Sequence, residues 1–238
     1  PKNNSIAGEG IANEGINSTK LGLKGNPALA EHIQITRDLY LLEYTGGKLH
    51  IPVISSSKSV DLIKEAKKKG LQVTCSVSAH HLTLNDDELH GFDSNFKTSP
   101  PLRTKSDTKS LVKGIKSGVI DIITSDHNPI DIEHKKVEFS EAKDGVIGLE
   151  SAFGAVNSVL HLEDFIENIT TKPRAIFGLE NYSIKEKNKA EITLFNPKYN
   201  YTFTKKHILS TSKNSPFLNK ELKGKAYGIY ANSQLILK

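Results

Sequence analysis

One carboxylate stands at a position where many enzymes place their chemistry. Asp126 comes directly after an apolar, strand-like run, Val119–Thr124. A carboxylate at the end of a buried strand can bind a metal ion or take a proton from a metal-bound water. Aspartate also caps loop turns, so a structural role in the turn at 127–130 is the alternative. We take Asp126 as the strongest candidate for a catalytic and metal-ligating group.

The histidines form a second set of candidates. His80 and His81 are adjacent and follow an apolar run. Neighbouring residues of an extended segment point to opposite sides, so we expect one of the pair to be packed and the other exposed. His50 alternates within a predicted strand without a partner at ligand spacing. His127 and His134 flank a polar loop, where they could shape a pocket or serve the turn.

The sequence gives little indication of a catalytic nucleophile or of a phosphate-binding motif. Cys75 is the only cysteine of the chain and lies within an apolar run, so we expect a small buried hydrophobic residue. A single cysteine excludes disulfides and cysteine-based zinc clusters within one chain, and it favours a cytoplasmic location. We find neither a glycine-rich phosphate loop nor a nucleophile elbow in the right context.

The elements that position these residues alternate between helix and strand. Helices are predicted from Ala28 to Tyr44, from Ser57 to Gly70, and from a cap at Ser106-Asp107 to Gly118, and strands at Leu49–Ile54, Leu71–Val77 and Val119–Thr124. Strands that are apolar on both faces and separated by amphipathic helices indicate a parallel sheet covered by helices. In such folds the chemistry lies at the carboxyl ends of the strands, where Asp126 is found.

The residue composition and hydrophobic pattern differ at the two ends of the chain. Residues 1–26 are rich in Gly, Asn and Ser and predict a loop with short irregular turns. From about Asn181, short apolar runs such as Tyr227–Tyr230 and Leu235–Leu237 predict hairpins. These strands are too few to make a stable sheet alone. Because the chain starts at Pro1 and contains no Met, we expect a segment upstream of it to complete that sheet. The predicted domains are 1–180 and 181–238.

Composition narrows the class of protein. The 238 residues, 37% hydrophobic and 25% charged, are typical of a folded protein. The net charge of +5 comes from lysines spread along the chain, with arginine only at 37, 103 and 174, and this favours a solvated surface over a nucleic-acid interface. We see no signal peptide and no apolar run near the roughly 18 residues of a membrane span, so we expect neither nucleic-acid nor membrane partners.

Four segments follow one another along the chain: Val73–Leu82, Phe96–Arg103, Ile120–Pro129 and Gly145–Glu150. In their order and spacing they resemble one family, the dihydroorotase branch of the amidohydrolase superfamily. The resemblance implies an α/β fold, namely part of a (β/α)8 TIM-type barrel with a small C-terminal β-sandwich portion. It also implies reversible hydrolysis of the cyclic amide of dihydroorotate in pyrimidine biosynthesis, with one or two zinc ions making hydroxide available near neutral pH.

The resemblance assigns metal-site roles to two positions. Asp126 matches a metal-binding aspartate and proton acceptor of the family. Val53 stands in the place of a zinc-ligand histidine, and its isopropyl group cannot coordinate a metal. The remaining family ligands, a His-x-His pair, a bridging group and a further histidine, are expected upstream of Pro1.

Four further positions match the substrate side of the family site. Ser99 replaces an asparagine that binds substrate, and its hydroxyl has a shorter reach. Ile130 replaces a histidine that contacts the substrate carboxylate. Asp144 and Gly145 fall on a loop that offers backbone contacts, where the charge of Asp144 disfavours an anionic substrate.

Two functional hypotheses follow. The first is a dihydroorotase-type hydrolase of a small cyclic amide; a related hydrolase that uses a single metal and an altered substrate lies between this hypothesis and the next. The second is a non-catalytic homologue that acts as a structural or regulatory subunit, as a homodimer or beside aspartate transcarbamoylase. The substitutions at Val53, Ser99 and Ile130 favour the second, and the presence of Asp126 keeps the first open. An unrelated basic α/β protein is the remaining alternative.

Overall fold

The computed structural model describes residues 1–237. Its helices are α1 (Asn4–Ala7), α2 (Ile16–Leu21), α3 (Leu29–Thr45), α4 (Ser57–Lys68), α5 (Ala79–Thr83), α6 (Lys105–Lys116), α7 (Ile132–Lys135), α8 (Ala152–Val159), α9 (Leu162–Ile169) and α10 (Thr171–Ile176). Its strands are β1 (Ala12–Asn13), β2 (Gly25–Asn26), β3 (Leu49–Ile51), β4 (Val73–Ser78), β5 (Ile122–Thr124), β6 (Ile192–Thr202), β7 (Glu221–Ala231) and β8 (Gln234–Leu237). None of the helices in this part of the chain is both long enough and apolar enough to cross a membrane.

The strands β3, β4 and β5 form a parallel sheet in that order, as the alternating pattern predicts. The helices α4 and α6 lie between them in sequence and pack against each other. The apolar side chains of these strands and helices make one buried cluster, which includes Cys75 at 0% exposure. The prediction of a buried cysteine is therefore confirmed. The parallel order brings the carboxyl ends of β3, β4 and β5 to the same edge.

Helix boundaries agree with the sequence signals except at the start of α6. The predicted cap was Ser106-Asp107, but Thr104 is the N-cap and the helix begins at Lys105. The Thr104 hydroxyl accepts from the Asp107 N–H, and the Asp107 carboxylate accepts from the Thr104 N–H. Asp107 thus takes the third helical position of a capping box rather than the cap itself.

The N-terminal 26 residues are more ordered than a loop, so that prediction was wrong. They contain α1, α2 and the short parallel pair β1–β2. Tertiary contacts hold this pair: Arg103 Nη1 donates to Asn13 Oδ1 at 3.0 Å and to the Asn26 carbonyl at 2.6 Å. Elements this short have no hydrophobic period to detect, and their stability comes from contacts with distant residues.

The C-terminal region forms an antiparallel sheet in the order β6-β7-β8. The predicted hairpin between β7 and β8 is confirmed, and its two turn residues, Asn232 and Ser233, have φ values of 50° and 62°. Residues of this region share a buried apolar cluster with residues of the helical part: Leu84, Leu102, Ile147, Ala155, Phe203, Ile208, Phe217 and Leu222. The boundary at 180/181 stays a prediction.

Candidate functional site

Asp126 lies two residues beyond the carboxyl end of β5, at the edge predicted for chemistry. Its φ is +46°, an uncommon value for a residue other than glycine. The Asp126 N–H donates to Thr124 Oγ1 at 3.2 Å, and Asn128 Nδ2 donates to Asp126 Oδ1 at 3.1 Å. The side chain therefore takes part in the local turn through Oδ1, which leaves Oδ2 facing elsewhere.

The second carboxylate oxygen faces a buried histidine that follows β4. His80 Nε2 lies 3.7 Å from Asp126 Oδ2, and the His80 side chain is 2% exposed. His80 Nε2 is buried and has no hydrogen-bond partner among residues 1–237. Burial lowers the pKa of His80 well below its usual range, so the ring is neutral and the two residues do not form an ion pair. A buried polar atom left in this way is costly unless a ligand completes it.

The prediction that only one histidine of the pair would be packed was wrong, because both are 2% exposed. They lie on the short helix α5 rather than on an extended segment, and Ser78 is its N-cap. His81 Nδ1 lies 2.6 Å from Ser78 Oγ, and His81 Nε2 lies 3.3 Å from the Pro101 carbonyl oxygen. Burial lowers the pKa of His81 to about 4. His81 is thus satisfied within the protein, whereas His80 is not.

The pair of His80 and Asp126 fits two ligands of a zinc ion. In a tetrahedral zinc site with Zn–N and Zn–O bonds of about 2.0–2.2 Å, two ligand atoms lie roughly 3.3–3.6 Å apart, and these two are 3.7 Å apart. Burial raises the pKa of Asp126, which makes its carboxylate a better base. Within residues 1–237 no group of three or more His, Cys, Asp or Glu side chains could hold a metal. Among the described residues, His80 and Asp126 thus offer two groups of the kind that bind zinc, fewer than the three or four protein ligands of a complete zinc site.

Val53 follows β3 at the same edge and has no atom that could serve as a ligand. It has a φ of +44°, a strained value for a β-branched side chain. Its N–H donates to Ser76 Oγ at 2.9 Å. Val53 and Ser99 line a cavity of about 220 Å³, together with Asn26, Glu31 and Arg103. The other predicted site residues, Asp126, Ile130, Asp144 and Gly145, are not part of that lining.

Ile130 and Gly145 lie close together in the structure through a residue that sequence reasoning missed. The side chain of Asn214 donates from Nδ2 to the Gly145 carbonyl at 3.1 Å and accepts the Ile130 N–H at Oδ1 at 3.3 Å. Asn214 is 5% exposed and lies 69 residues beyond Gly145, so no local pattern points to it. The two predicted substrate-side segments are therefore adjacent.

Asp144, next to Gly145, has an exposed side chain. Partial burial raises the pKa of its carboxyl group, and the nearby charges of Lys97 and Lys135 oppose that rise. Lys97 and Lys135 are both 4% exposed, and each donates to a backbone carbonyl of the segment that ends at Asp144. The positive charge beside Asp144 offsets the negative charge expected to disfavour an anionic substrate.

The segment after Gly145 also supports the turn that carries Asp126. His127 Nδ1 accepts the N–H groups of Gly148 and Leu149, both at 3.2 Å, so His127 has a structural role rather than a lining one. A Cβ atom at Gly148 would lie 2.1 Å from the Ser125 carbonyl oxygen. The two segments are thus in close backbone contact on one side of Asp126. Of the remaining histidines, His134 is exposed.

His50 is half-buried on β3, and its pKa is lowered by burial. Its Nδ1 lies 2.9 Å from Thr74 Oγ1, and its ring lies edge-on to Phe177 with centroids 5.3 Å apart. His50 is therefore a packing residue of the sheet.

Two buried residues with charged groups, Glu31 and Arg103, line the cavity and are linked to each other through a serine. Glu31 is 1% exposed and accepts hydrogen bonds from the Ser55 N–H at 2.9 Å, from Ser55 Oγ at 2.5 Å and from Ser59 Oγ at 2.5 Å. Arg103, 3% exposed, donates from Nε to Ser55 Oγ at 3.1 Å. Ser55 therefore joins the carboxylate on α3 to the guanidinium in the segment before α6. The arginine of the Pro-Pro-Leu-Arg motif acts here as a structural link.

Comparison with known proteins was made by sequence and by structure. No family model matches the chain. A dihydroorotase of Trichlorobacter lovleyi is 41% identical over 226 residues, which cover 93% of this chain and 53% of that protein. A dihydroorotase of Endomicrobium trichonymphae is 42% identical over 228 residues, which cover 93% of this chain and 54% of that protein. The chain spans about half the length of the curated relatives it matches.

The solved structures agree on the fold. An L-hydantoinase (dihydropyrimidinase) from Arthrobacter aurescens matches with a TM-score of 0.84 at 22% identity, over 90% of this chain and 50% of that one. A dihydropyrimidinase from Brevibacillus agri matches with a TM-score of 0.80 at 23% identity, over 90% and 50%. The expected α/β fold with part of a (β/α)8 barrel is therefore confirmed. These comparisons identify the chain as a homologue of the dihydroorotases, within the amidohydrolase superfamily.

Proposed function

We propose that the protein takes part in hydrolysis of a small cyclic amide of the dihydroorotate type, with His80 and Asp126 as its metal-facing pair. The observation that carries this proposal is the unpartnered Nε2 of His80, which lies 3.7 Å from Asp126 Oδ2 at the carboxyl edge of the sheet. The names of the curated relatives, all dihydroorotases, support the same substrate class.

In this proposal the residues of the chain bind the ion and move the proton. Neutral His80 offers the lone pair of Nε2, and Asp126 offers Oδ2, while Asn128 fixes the carboxylate through Oδ1. A zinc ion held by His80 and Asp126 would lower the pKa of water and polarise the carbonyl oxygen of the amide. Asp126 would take a proton from the attacking water through its other oxygen, Oδ1, and return it to the ring nitrogen as the C–N bond breaks. The raised pKa of Asp126 suits both transfers.

The substrate side of the proposal uses Ser99 and the adjacent Ile130 and Asp144–Gly145 segments. Ser99 lines the cavity of about 220 Å³ and offers one hydroxyl. Gly145 has its N–H and carbonyl engaged, with Lys97 and Asn214 respectively, so the contacts of this loop with a substrate would come from the neighbouring residues.

A second candidate function, a non-catalytic structural or regulatory subunit, has one observation in its favour. Val53 lies at the site edge with a side chain that cannot coordinate, and only two ligands come together within residues 1–237. A zinc site with two protein ligands holds its ion weakly. In this case the homologue would act by association, with a second copy or with aspartate transcarbamoylase, and would turn over no cyclic amide.

Zinc titration and dihydroorotate turnover separate the two candidates. The purified chain, free of metal, is titrated with zinc against a chromophoric chelator, and its hydrolysis of dihydroorotate is followed. We expect at least one zinc per chain, with affinity reduced tenfold or more by His80→Ala and by Asp126→Ala. Asp126→Ala should abolish turnover and change the free energy of unfolding by no more than about 1–2 kcal/mol, since Asp126 lies in a loop.

Matched controls are the exposed residues His134 and Asp131, substituted by alanine in the same way. Neither should alter zinc affinity. Absence of both zinc binding and turnover in the native chain would refute the hydrolase and leave the subunit function, whereas about two zinc ions per chain would refute the non-catalytic candidate. Full turnover in Asp126→Ala would remove this carboxylate from the mechanism.

A further inference from the structure

One buried amide outside the barrel joins the two loops that carry the candidate site. Asn214 lies in the connection between β6 and β7 and is 5% exposed. Its Nδ2 donates to the carbonyls of Asn128, at 3.0 Å, and of Gly145, at 3.1 Å. Its Oδ1 accepts the Ile130 N–H at 3.3 Å, and its own carbonyl accepts the Ile147 N–H at 3.1 Å. Both donor positions and the acceptor of this side chain are used.

The partners of Asn214 belong to two different segments of the chain. Asn128 and Ile130 belong to the turn that begins at Asp126, and Asn128 also donates to Asp126 Oδ1. Gly145 and Ile147 belong to the segment whose residues 146 and 148 contact the same turn through Asn128 and His127. Asn214 therefore fixes the backbone on which Asn128 holds the carboxylate of Asp126.

Asn214 is itself anchored away from the site. The next residue, Ser215, is 2% exposed, and Phe217 is 3% exposed within the apolar cluster shared with the C-terminal sheet. Lys213 Nζ donates to the carbonyls of Ile208 and Ser210, which closes this connection on itself. A side chain on such a support can hold a loop more precisely than a side chain within the loop.

We propose that Asn214 is a positioning residue for Asp126: it couples the C-terminal sheet to the candidate metal site by holding the turn at 126–130 against the segment at 144–148. The expected effect on zinc binding rests on the proposed function. The expected effect on the two backbone segments does not depend on that function. It follows that substitution of Asn214 should loosen both segments and weaken zinc binding without touching either ligand.

The chain offers a matched control of the same residue type. Asn157 on α8 is 7% exposed, and its Nδ2 donates to the carbonyls of Pro197 at 2.8 Å and Lys223 at 2.9 Å. Asn157→Ala removes two buried hydrogen bonds that the side chain donates to backbone carbonyls, and Asn214→Ala also removes two hydrogen bonds of this kind. Asn157→Ala, however, releases no segment of the candidate site. A purely structural role of Asn214 would make the two variants alike.

The experiment compares Asn214→Ala, Asn214→Asp and Asn157→Ala in the full chain. Asn214→Ala removes all three side-chain bonds, whereas Asn214→Asp keeps an acceptor for the Ile130 N–H but turns a carboxyl oxygen toward the Asn128 and Gly145 carbonyls, so the two variants loosen the same segments by different changes. Amide hydrogen exchange and zinc titration are measured on each. We expect exchange of the Ile130 and Ile147 amides to accelerate at least tenfold, and the zinc dissociation constant to rise at least tenfold, in the Asn214 variants but not in Asn157→Ala.

Unchanged exchange at Ile130 and Ile147 in both Asn214 variants overturns the inference, as does equal loss of zinc affinity in the Asn157 control. If the native chain binds no zinc, the proposed function fails on that result, and the exchange comparison still decides whether Asn214 positions the two segments.

Discussion

Removal of the buried carboxylate of Glu31 should destabilise the protein strongly. In the native protein Glu31 accepts from the Ser55 N–H and from the hydroxyls of Ser55 and Ser59, and Ser55 Oγ in turn accepts from Arg103 Nε. Glu31→Ala leaves these donors without an acceptor and removes a negative charge that favours the charged form of the 3%-exposed Arg103.

The magnitude follows from that count of lost bonds. A hydrogen bond to a charged group contributes about 1.5–3 kcal/mol, and such values are not additive within one network. Arg103 reaches Glu31 through Ser55 and not by direct contact, so the loss comes from these hydrogen bonds. We therefore expect Glu31→Ala to lower the free energy of unfolding by about 3–5 kcal/mol, and Glu31→Gln by roughly 2–3 kcal/mol because an acceptor oxygen remains.

Urea unfolding followed by circular dichroism measures the loss. Glu9 is the control, because its side chain is 87% exposed and pairs only with the exposed Lys24. Glu9→Ala should change the free energy of unfolding by less than about 0.5 kcal/mol. A loss below about 1 kcal/mol in Glu31→Ala would show that the serine and arginine side chains find other partners, and the account of this network would be wrong.

Two further predictions concern the buried histidines and the missing ligand. Burial lowers the pKa of both His80 and His81, the latter to about 4, so the unfolded chain binds more protons below pH 6.5. The free energy of unfolding should fall as pH drops from 6.5 towards 4, by up to about 1.4 kcal/mol per pH unit for each histidine. His81→Asn should remove the contribution of one histidine. An unchanged dependence of the unfolding free energy on pH in this variant would contradict the prediction. Val53→His combined with Ile130→His should tighten zinc binding at least tenfold relative to the same double change to asparagine, because histidine tolerates the φ of +44° at position 53 better than valine. Equal affinities in the two double variants would mean that the pocket no longer fits a third ligand.

The barrel portion could be predicted from sequence because its strands and helices have strong periods. The runs around Cys75 and Ile123 are apolar on both faces, and a capping serine precedes α4. The position of Asp126 followed from the parallel sheet, since only one edge collects the carboxyl ends of the strands. The resemblance of the chain to the dihydroorotases predicted the rest of the fold.

The parts that could not be predicted depend on distant contacts. The prediction that only one of His80 and His81 is buried was wrong because it assumed the alternation of an extended strand. The two residues lie on a short helix, and both rings point inward. Asn214 gives no local signal, since its partners lie 67 to 86 residues away in the sequence. The order of residues 1–26 depends on Arg103, which lies 77 residues beyond Asn26. Single-sequence patterns detect periods and caps but not such pairs.

Gly148 limits how this protein can change in evolution or in the laboratory. Even the methyl group of alanine there would overlap the Ser125 carbonyl oxygen, since the distance of 2.1 Å is far inside a van der Waals contact. Ser125 immediately precedes Asp126, so any larger residue at 148 must displace the turn that carries this candidate site residue. A variant library aimed at new substrates should leave position 148 untouched and diversify Ser99 and Val53, whose side chains border open space.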